Sequence, residues 1–336
     1  MRTRRALRQA VCVAIALLAV GACDSGMATQ VPSPAHTPPP GPTTTKLATA
    51  TQPTLTPPRT TSLSLAASPT CEVYSKLLPR DAKIVFQSDM DGDGRSNISV
   101  LDADGDRGVT TTDGTFTDFM PVWSRAGCQI GFVSSRDGMD NIYVMNSDGT
   151  GQRKVTNFRW GAYEPSWSPD GGRLVFVGRV LAHRDQQFDI FLINVDGSAL
   201  VTLTNTFGDE MGPSWSPDGL RIAFASWEGI CVINADGSDR RVVIPNEHWF
   251  YRDPTWSPDG QRIAFTGQNG QIYSVNPDGG SFSRLTDLHV SAVLDPSWAP
   301  DGRRIAFSDN EFIYILDLES GSACRLLRGS NPDWRK

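Results

Sequence analysis

The sequence predicts an all-β fold, a six-bladed β-propeller closed by its C-terminal strand. Three features indicate this: a recurring tryptophan, an alternating strand after each of the first five tryptophans, and a turn that is Asp-Gly in five units and Glu-Ser-Gly in the sixth. The tryptophans are separated by 44, 48, 41, 42 and 36 residues, at Trp123, Trp167, Trp215, Trp256, Trp298 and Trp334. Units of about 40–45 residues that each hold four strands are typical of propeller blades.

The sequence around the tryptophans is repeated as well. Four copies are nearly identical, and they span Pro165–Gly171, Pro213–Gly219, Pro254–Gly260 and Pro296–Gly302. Trp123 lies in a degraded copy, Pro-Val-Trp-Ser-Arg-Ala-Gly. An alternating strand such as Ile222–Ala225 follows each copy, and a later strand ends in an Asp-Gly pair such as Asp148-Gly149. Asp-Gly between β-rich runs favours a hairpin, because glycine accepts positive φ at low cost.

The two ends of the repeat region complement each other. Residues 332–336 carry a Pro-x-Trp strand, and residues 84–112 carry three strands of a blade that lacks its tryptophan strand. We therefore expect the C-terminal strand to pair with the strand near Ile84-Val85-Phe86. Closure of this kind removes the two sheet edges that an open array would expose.

The N-terminus predicts export and lipid anchoring. Residues 1–22 resemble a lipoprotein signal peptide, with four arginines and an apolar run, Ala10–Val20, that is too short to span a membrane. The run ends in Val-Gly-Ala before Cys23, which resembles the bacterial lipobox. We expect Cys23 to be acylated, with an ordinary signal peptide as the alternative. The choice between Sec and Tat export stays open.

The segment between the signal and the repeats is predicted to be a disordered tether, so that residues 23–70 comprise the lipidated cysteine and tether and residues 71–336 the propeller. Ten prolines lie in residues 24–70, among many threonines and serines. Such a segment buries too little apolar surface to offset its ordering entropy. The net charge of −6 becomes −10 without residues 1–22, which argues against a nucleic-acid partner. The predicted location is the extracytoplasmic face of the cell membrane, reached through the lipid anchor only, and the propeller is expected to be monomeric.

The Trp-Ser-Pro-Asp-Gly, Ile-Ala-Phe, Ile-Tyr-Val-Met-Asn and Asp-Gly blocks together resemble the TolB-type β-propeller repeat. The resemblance covers about residues 81–336 and is specific for the fold, but it is weakly specific for function. TolB carries an α/β domain before its propeller, whereas this chain has the lipobox and tether in that place. A TolB role in an envelope-spanning complex is therefore not carried over.

The repeated residues are interpreted as structural. Trp167, Trp215, Trp256 and Trp298 are expected to pack between blades, and Asp170, Asp218, Asp259 and Asp301 to accept hydrogen bonds from turn amides. Departures from the repeat are more informative about function. In an up-and-down blade, the loop between strands two and three lies on the same face as the loop that leaves the blade. We call this the loop-rich face, and the opposite face, built from Pro-Asp-Gly and Asp-Gly turns, the turn face.

Irregular aromatic and polar residues fall on the loop-rich face. The predicted ligand-binding residues are Trp160, Tyr163, Trp227, His248, Trp249, Tyr251 and Arg252. Further polar residues assigned to this face are Arg159, Glu164, Asp209, Glu210, Glu228, Glu247 and Asp253. Aromatic side chains with polar neighbours on a concave rim suit recognition of an envelope protein, a peptide or a glycan. The alternative is that the aromatics only seal the loops together.

An enzyme is the second possibility, and the sequence favours it less. It holds no Gly-x-Ser-x-Gly elbow, no His-Glu-x-x-His motif and no phosphate loop, and no cofactor is expected. His183, His248 and His289 could supply a base for a lyase, cyclase or hydrolase-like reaction, or a zinc site.

Asp89, Asp91 and Asp93 form a weak calcium candidate, with Val100 at the position of the usual bidentate glutamate. The cysteines outside the signal allow disulfides. Cys71–Cys128 is the favoured pairing and Cys71–Cys324 the rival, with Cys231 expected to be free.

Overall fold

The computed structural model describes residues 83–89, 94–102, 109–179, 187–246, 251–267, 269–287, 293–309 and 311–335. These residues form 24 strands arranged in six four-stranded sheets. Within these ranges there is no helix with the length and hydropathy to cross a bilayer. The predicted fold class and blade number are confirmed.

The strands share a simple pattern of four per sheet, in which the outermost strand is often only two residues long. In chain order they are β1 (Lys83–Ser88), β2 (Asn97–Asp102), β3 (Val109–Thr110), β4 (Asp118–Trp123), β5 (Gln129–Ser134), β6 (Asn141–Asn146), β7 (Arg153–Lys154), β8 (Ala162–Trp167), β9 (Arg173–Arg179), β10 (Phe188–Asn194), β11 (Val201–Thr202) and β12 (Glu210–Trp215). They continue with β13 (Arg221–Ser226), β14 (Gly229–Asn234), β15 (Arg241–Pro245), β16 (Tyr251–Trp256), β17 (Ile263–Gly267), β18 (Ile272–Val275), β19 (Ser283–Arg284), β20 (Leu294–Trp298), β21 (Arg304–Ser308), β22 (Phe312–Asp317), β23 (Ala323–Arg328) and β24 (Ser330–Trp334).

Each sheet is antiparallel and forms one blade. Blade one has the order β24-β1-β2-β3, and blade two is β4 to β7. Blades three to six are β8–β11, β12–β15, β16–β19 and β20–β23. The tryptophan strand is therefore the first strand of every blade, and in blade one it comes from the C-terminus.

The seam between the chain ends has the predicted pairing. Trp334 pairs with Ile84 and Asp333 with Val85 in an antiparallel register. Trp334 is fully buried and shares a core cluster with Ile84 and Phe86 of blade one and Ala306 of blade six. The C-terminal strand thus completes blade one and also supplies its contact with blade six.

The hydrophobic core lies between the blades, as the repeated residues predict. Trp167 of blade three packs in one cluster with Ile142 of blade two and Leu174 of its own blade. The repeated aspartates close the turns: Oδ1 of Asp170 accepts the N–H of Gly172 at 3.0 Å, and the three other copies make the same contact at 2.8–3.0 Å. Both structural interpretations are confirmed.

The cysteines correct one prediction. Cys128 and Cys231 are free, so the favoured Cys71–Cys128 pairing is wrong, while the free state of Cys231 is confirmed. The thiol of Cys128 instead contacts the carbonyl oxygen of Ala126 within its own turn, at 3.6 Å. Cys324, buried in β23, is disulfide-bonded to a partner outside the described residues.

Candidate functional site

The first strands of the six blades surround a central channel. They line a cavity of about 310 Å³ with the Pro-x-Trp segments and the prolines of the Pro-Asp-Gly turns. The cavity therefore extends from the middle of the first strands to the turn face. Of the ligand-binding residues predicted on the loop-rich face, the structure describes Trp160, Tyr163, Trp227, Tyr251 and Arg252, and none of these five lines it.

The residue before each repeat proline forms a ring around this cavity, which we call the channel ring. Its members are Met120, Glu164, Gly212, Asp253, Asp295 and Asn331, with φ from 47° to 62°. The pairing of every first strand with its neighbour shifts register at this point. A non-glycine residue in this left-handed conformation costs about 1–2 kcal/mol, so five of the six positions hold strain.

Hydrogen bonds between blades offset part of that cost. Glu164 accepts the backbone N–H of Gly212 in the next blade at 2.6 Å. Asp253 accepts a backbone hydrogen bond from Asp295, and Asp295 accepts one from Asn331. Each of these carboxylates therefore binds the ring residue of the following blade.

A second set of contacts lies one position beyond the prolines. Asp333 accepts the N–H of Trp123 at 2.8 Å and the hydroxyl of Ser297 at 2.9 Å. Ser297 in turn accepts the N–H of Trp334 at 3.2 Å. Asp333 thus joins blade one to both of its neighbours at the seam.

The channel carboxylates are poorly solvated and close to one another. Burial raises the pKa of Glu164 to about 7. Burial and the charge of Asp253 raise the pKa of Asp295 to about 7, and burial also raises the pKa of Asp253. Assignment of Glu164 and Asp253 to the loop-rich face was wrong, because the register shift turns these strand residues into the channel.

The loop-rich face exposes large aromatic side chains. Trp227, in the turn between β13 and β14, is 56% exposed, and Trp160 is 39% exposed. Phe207, in the loop that leaves blade three, is 75% exposed and was missed from the sequence. The ring of Trp227 lies over Gly208, where a Cβ would approach the ring Cδ1 to 2.6 Å. We call Trp227, Gly208 and Phe207, the chain neighbour of Gly208, the aromatic patch.

The turn that carries Trp227 is held firmly. The side-chain amide of Asn246 donates to the carbonyl oxygens of Ser226 and Trp227, at 3.1 Å each. Glu228 in the same turn forms an ion pair with Arg240. Trp227 is thus presented to solvent on a fixed backbone, so little ordering entropy would be lost when a ligand contacts it.

Arg240 also pairs with a second acid. It lies 3.7 Å from Glu210, which is fully buried and accepts the hydroxyl of Thr206 at 2.6 Å. Glu210 therefore lies at the loop-rich end of β12, but its buried side chain is not available to a ligand. Its carboxylate supports the packing beneath the aromatic patch.

Three other predicted residues lie in first strands rather than in loops. Tyr163 in β8 donates to Asp140 at 3.1 Å and packs edge-on against Phe188. Tyr251 in β16 packs against Phe265 with 5.0 Å between ring centres. These two tyrosines are partly buried between blades, whereas Arg252 is exposed.

Several predicted residues lie outside the described residues, namely Cys23, Cys71, Asp91, Asp93, His183, Glu247, His248, Trp249 and His289. Asp89 accepts the N–H of Gly94 at 3.1 Å, as a local turn requires. In the part of the chain that the structure describes, no three His, Cys, Asp or Glu side chains are grouped so as to hold a metal ion.

Comparison with known proteins agrees with the architecture. Residues 74–239 match the model of the TolB beta propeller domain. The structure is similar to TolB from Acinetobacter baumannii, with a TM-score of 0.65, 20% identity, and coverage of 78% of this chain and 70% of that one. It is also similar to the oligogalacturonate lyase of Vibrio parahaemolyticus, with a TM-score of 0.53, 17% identity, and coverage of 73% and 74%. No curated protein matches the sequence.

These similarities define the class of the protein. The chain carries a β-propeller of six blades, and residues 74–239 of it match the TolB beta propeller domain. At identities of 20% or less, the solved structures support the fold alone.

Proposed function

We propose that this protein is an extracytoplasmic, lipid-anchored binding propeller that recognises an envelope protein, a peptide or a glycan on its loop-rich face. The observation that carries the proposal is Trp227, which is 56% exposed on a turn fixed by neighbouring side chains. Phe207, which precedes the Gly208 that the Trp227 ring contacts, is 75% exposed. Large aromatic residues at such positions gain packing energy only when a ligand covers them.

The patch has the features of a binding hot spot. Tryptophan is enriched among hot-spot residues, because its large rigid surface is desolvated with little loss of entropy. The Arg159 guanidinium lies 5.3 Å from the ring centre of Trp160, which adds a polar group near a second exposed aromatic. The face therefore combines apolar contact area with charge.

The proposed location follows from the N-terminus. Cys23 after the signal would carry the lipid, and the proline-rich residues 24–70 would separate the propeller from the membrane surface. The net charge of −10 after residue 22 keeps the propeller from adhering to an anionic bilayer by charge. The histidine-based enzyme alternative depends on residues outside the described part of the chain, so binding is the function with more support.

Substitution of one exposed side chain on each face tests the proposal. Trp227→Ala and Leu220→Ala both truncate an exposed apolar side chain of blade four, at opposite ends of β13. Full-length variants would be crosslinked in intact cells, and co-purified envelope components would be quantified against wild type. Trp227→Ala should weaken binding by about 2 kcal/mol or more, which is about 30-fold in affinity.

The Leu220→Ala control should retain the same components at wild-type levels. Loss of the components with Leu220→Ala, together with their retention by Trp227→Ala, would assign binding to the turn face and overturn the proposal.

A further inference from the structure

Arg125 occupies a position that is proline in four of the six blades. The residue that follows Trp-Ser or Trp-Ala is proline in blades three to six, at Pro169, Pro217, Pro258 and Pro300. These four prolines line the channel cavity at the turn face, and Arg125 lines it in blade two. Proline has a short side chain and no N–H donor. In blade two it is replaced by a long cationic side chain at the channel mouth.

The side chain of Arg125 extends to another blade. Its Nη1 donates to the carbonyl oxygen of Pro217, at 2.8 Å. Arg125 belongs to blade two and Pro217 to blade four, so the side chain spans the part of the mouth that blade three forms with Pro169. The arginine therefore lies across the opening rather than along its rim.

The channel beneath this side chain is lined by carboxyl groups, which carry negative charge in their ionised form. Glu164, Asp253 and Asp295 line the same cavity, and Asp333 lines it beside the seam. Charges inside a narrow cavity with low-dielectric walls act over longer distances than charges in bulk water. The guanidinium is therefore attracted to the mouth by the channel as well as by Pro217.

The hydrogen bond between Arg125 and Pro217 can break without disturbing the blades. Arg125 is exposed, and its hydrogen bond to Pro217 joins it to a neutral carbonyl at the surface. Hydrogen bonds of this kind are individually weak in water, so the side chain can leave and return without disturbing the packed blades. We propose that Arg125 is a strap across the turn-face mouth of the channel, and that entry from this side requires Arg125 to release Pro217.

Thiol labelling inside the channel tests the strap. Ser214 lines the cavity on β12 and has an exposed fraction of 9%, so Ser214→Cys places a reporter behind the mouth. The full-length protein would be treated with methyl methanethiosulfonate, a small neutral reagent, and modification at position 214 followed by mass spectrometry. Arg125→Ala should raise the labelling rate about five-fold, the factor that corresponds to one exposed hydrogen bond.

Arg303→Ala is the matched control, because Arg303 is an exposed arginine of the equivalent turn in blade six that does not line the cavity. It should leave the rate unchanged. A thiosulfonate reagent that carries a trimethylammonium group distinguishes physical closure of the mouth from repulsion of a cation by the positive charge of Arg125. Equal labelling of the reporter with and without Arg125, an equal rise with Arg303→Ala, or a rise confined to the cationic reagent would each overturn the strap.

Discussion

The buried carboxyl group of Glu164 should make the stability of the propeller fall as pH rises. Its pKa is about 7 in the folded protein, against 4.5 for an ordinary glutamate. Between these values the folded state keeps a proton that the unfolded state has released, so the free energy of unfolding decreases with increasing pH. The penalty is absent below the unfolded pKa and complete above the folded pKa, with an upper value of about 3 kcal/mol.

Glu164→Gln removes this carboxyl group, and with it the negative charge that helps to raise the pKa of Asp295. Glutamine cannot ionise, yet its carbonyl oxygen can still accept the N–H of Gly212, which Glu164 accepts at 2.6 Å. The variant should be more stable than wild type by about 1–3 kcal/mol near pH 8, and the difference should shrink to below about 1 kcal/mol near pH 5. Urea denaturation at both pH values measures it. Histidine titration affects both proteins equally and cancels in the comparison.

The turn aspartates do not affect the comparison of stability between about pH 5 and pH 8. Hydrogen bonds from Ser168 and Gly172 lower the pKa of Asp170, so the stability that it contributes is lost only at more acidic pH. Glu319→Gln, at an exposed turn, is the matched control and should leave the pH profile unchanged. A Glu164→Gln variant whose stability difference from wild type is the same at both pH values would refute the reasoning.

Three further predictions concern the seam, the anchor and the disulfide. Asp333→Ala leaves the buried N–H of Trp123 without its acceptor and should lower stability by about 1–3 kcal/mol, which thermal unfolding measures; an unchanged Tm would contradict the role of the seam. Cys23→Ala should release the protein from membranes and abolish incorporation of labelled fatty acid, whereas a wild-type protein that never takes up the label would exclude the anchor. Peptide mapping without reduction should recover Cys324 joined to Cys71, and a peptide with free Cys324 thiol would contradict the pairing.

The repeat made most of the fold predictable. Nearly identical segments around Trp167, Trp215, Trp256 and Trp298 need the same local structure, so blade number, turn positions and packing between blades followed from the sequence. The incomplete unit at residues 84–112 likewise predicted its partner strand, because a blade without its first strand would expose an edge.

The channel could not be predicted in the same way. When the repeats are aligned with one another, the residue before the proline occupies one column, and this residue is an acid at Glu164, Asp253 and Asp295. Strand alternation alone does not show that a register shift places this column in the channel, since the shift depends on a left-handed residue in each strand. Phe207 was missed because its loop carries no repeat signal.

Photo-crosslinking in living cells tests the central claim, binding on the loop-rich face, most directly. Benzoylphenylalanine would replace Trp227 in one full-length variant and Leu220, 66% exposed at the other end of β13, in another. Irradiation should produce a discrete adduct from position 227 and none from position 220. An adduct from position 220 alone would contradict the account and assign binding to the turn face.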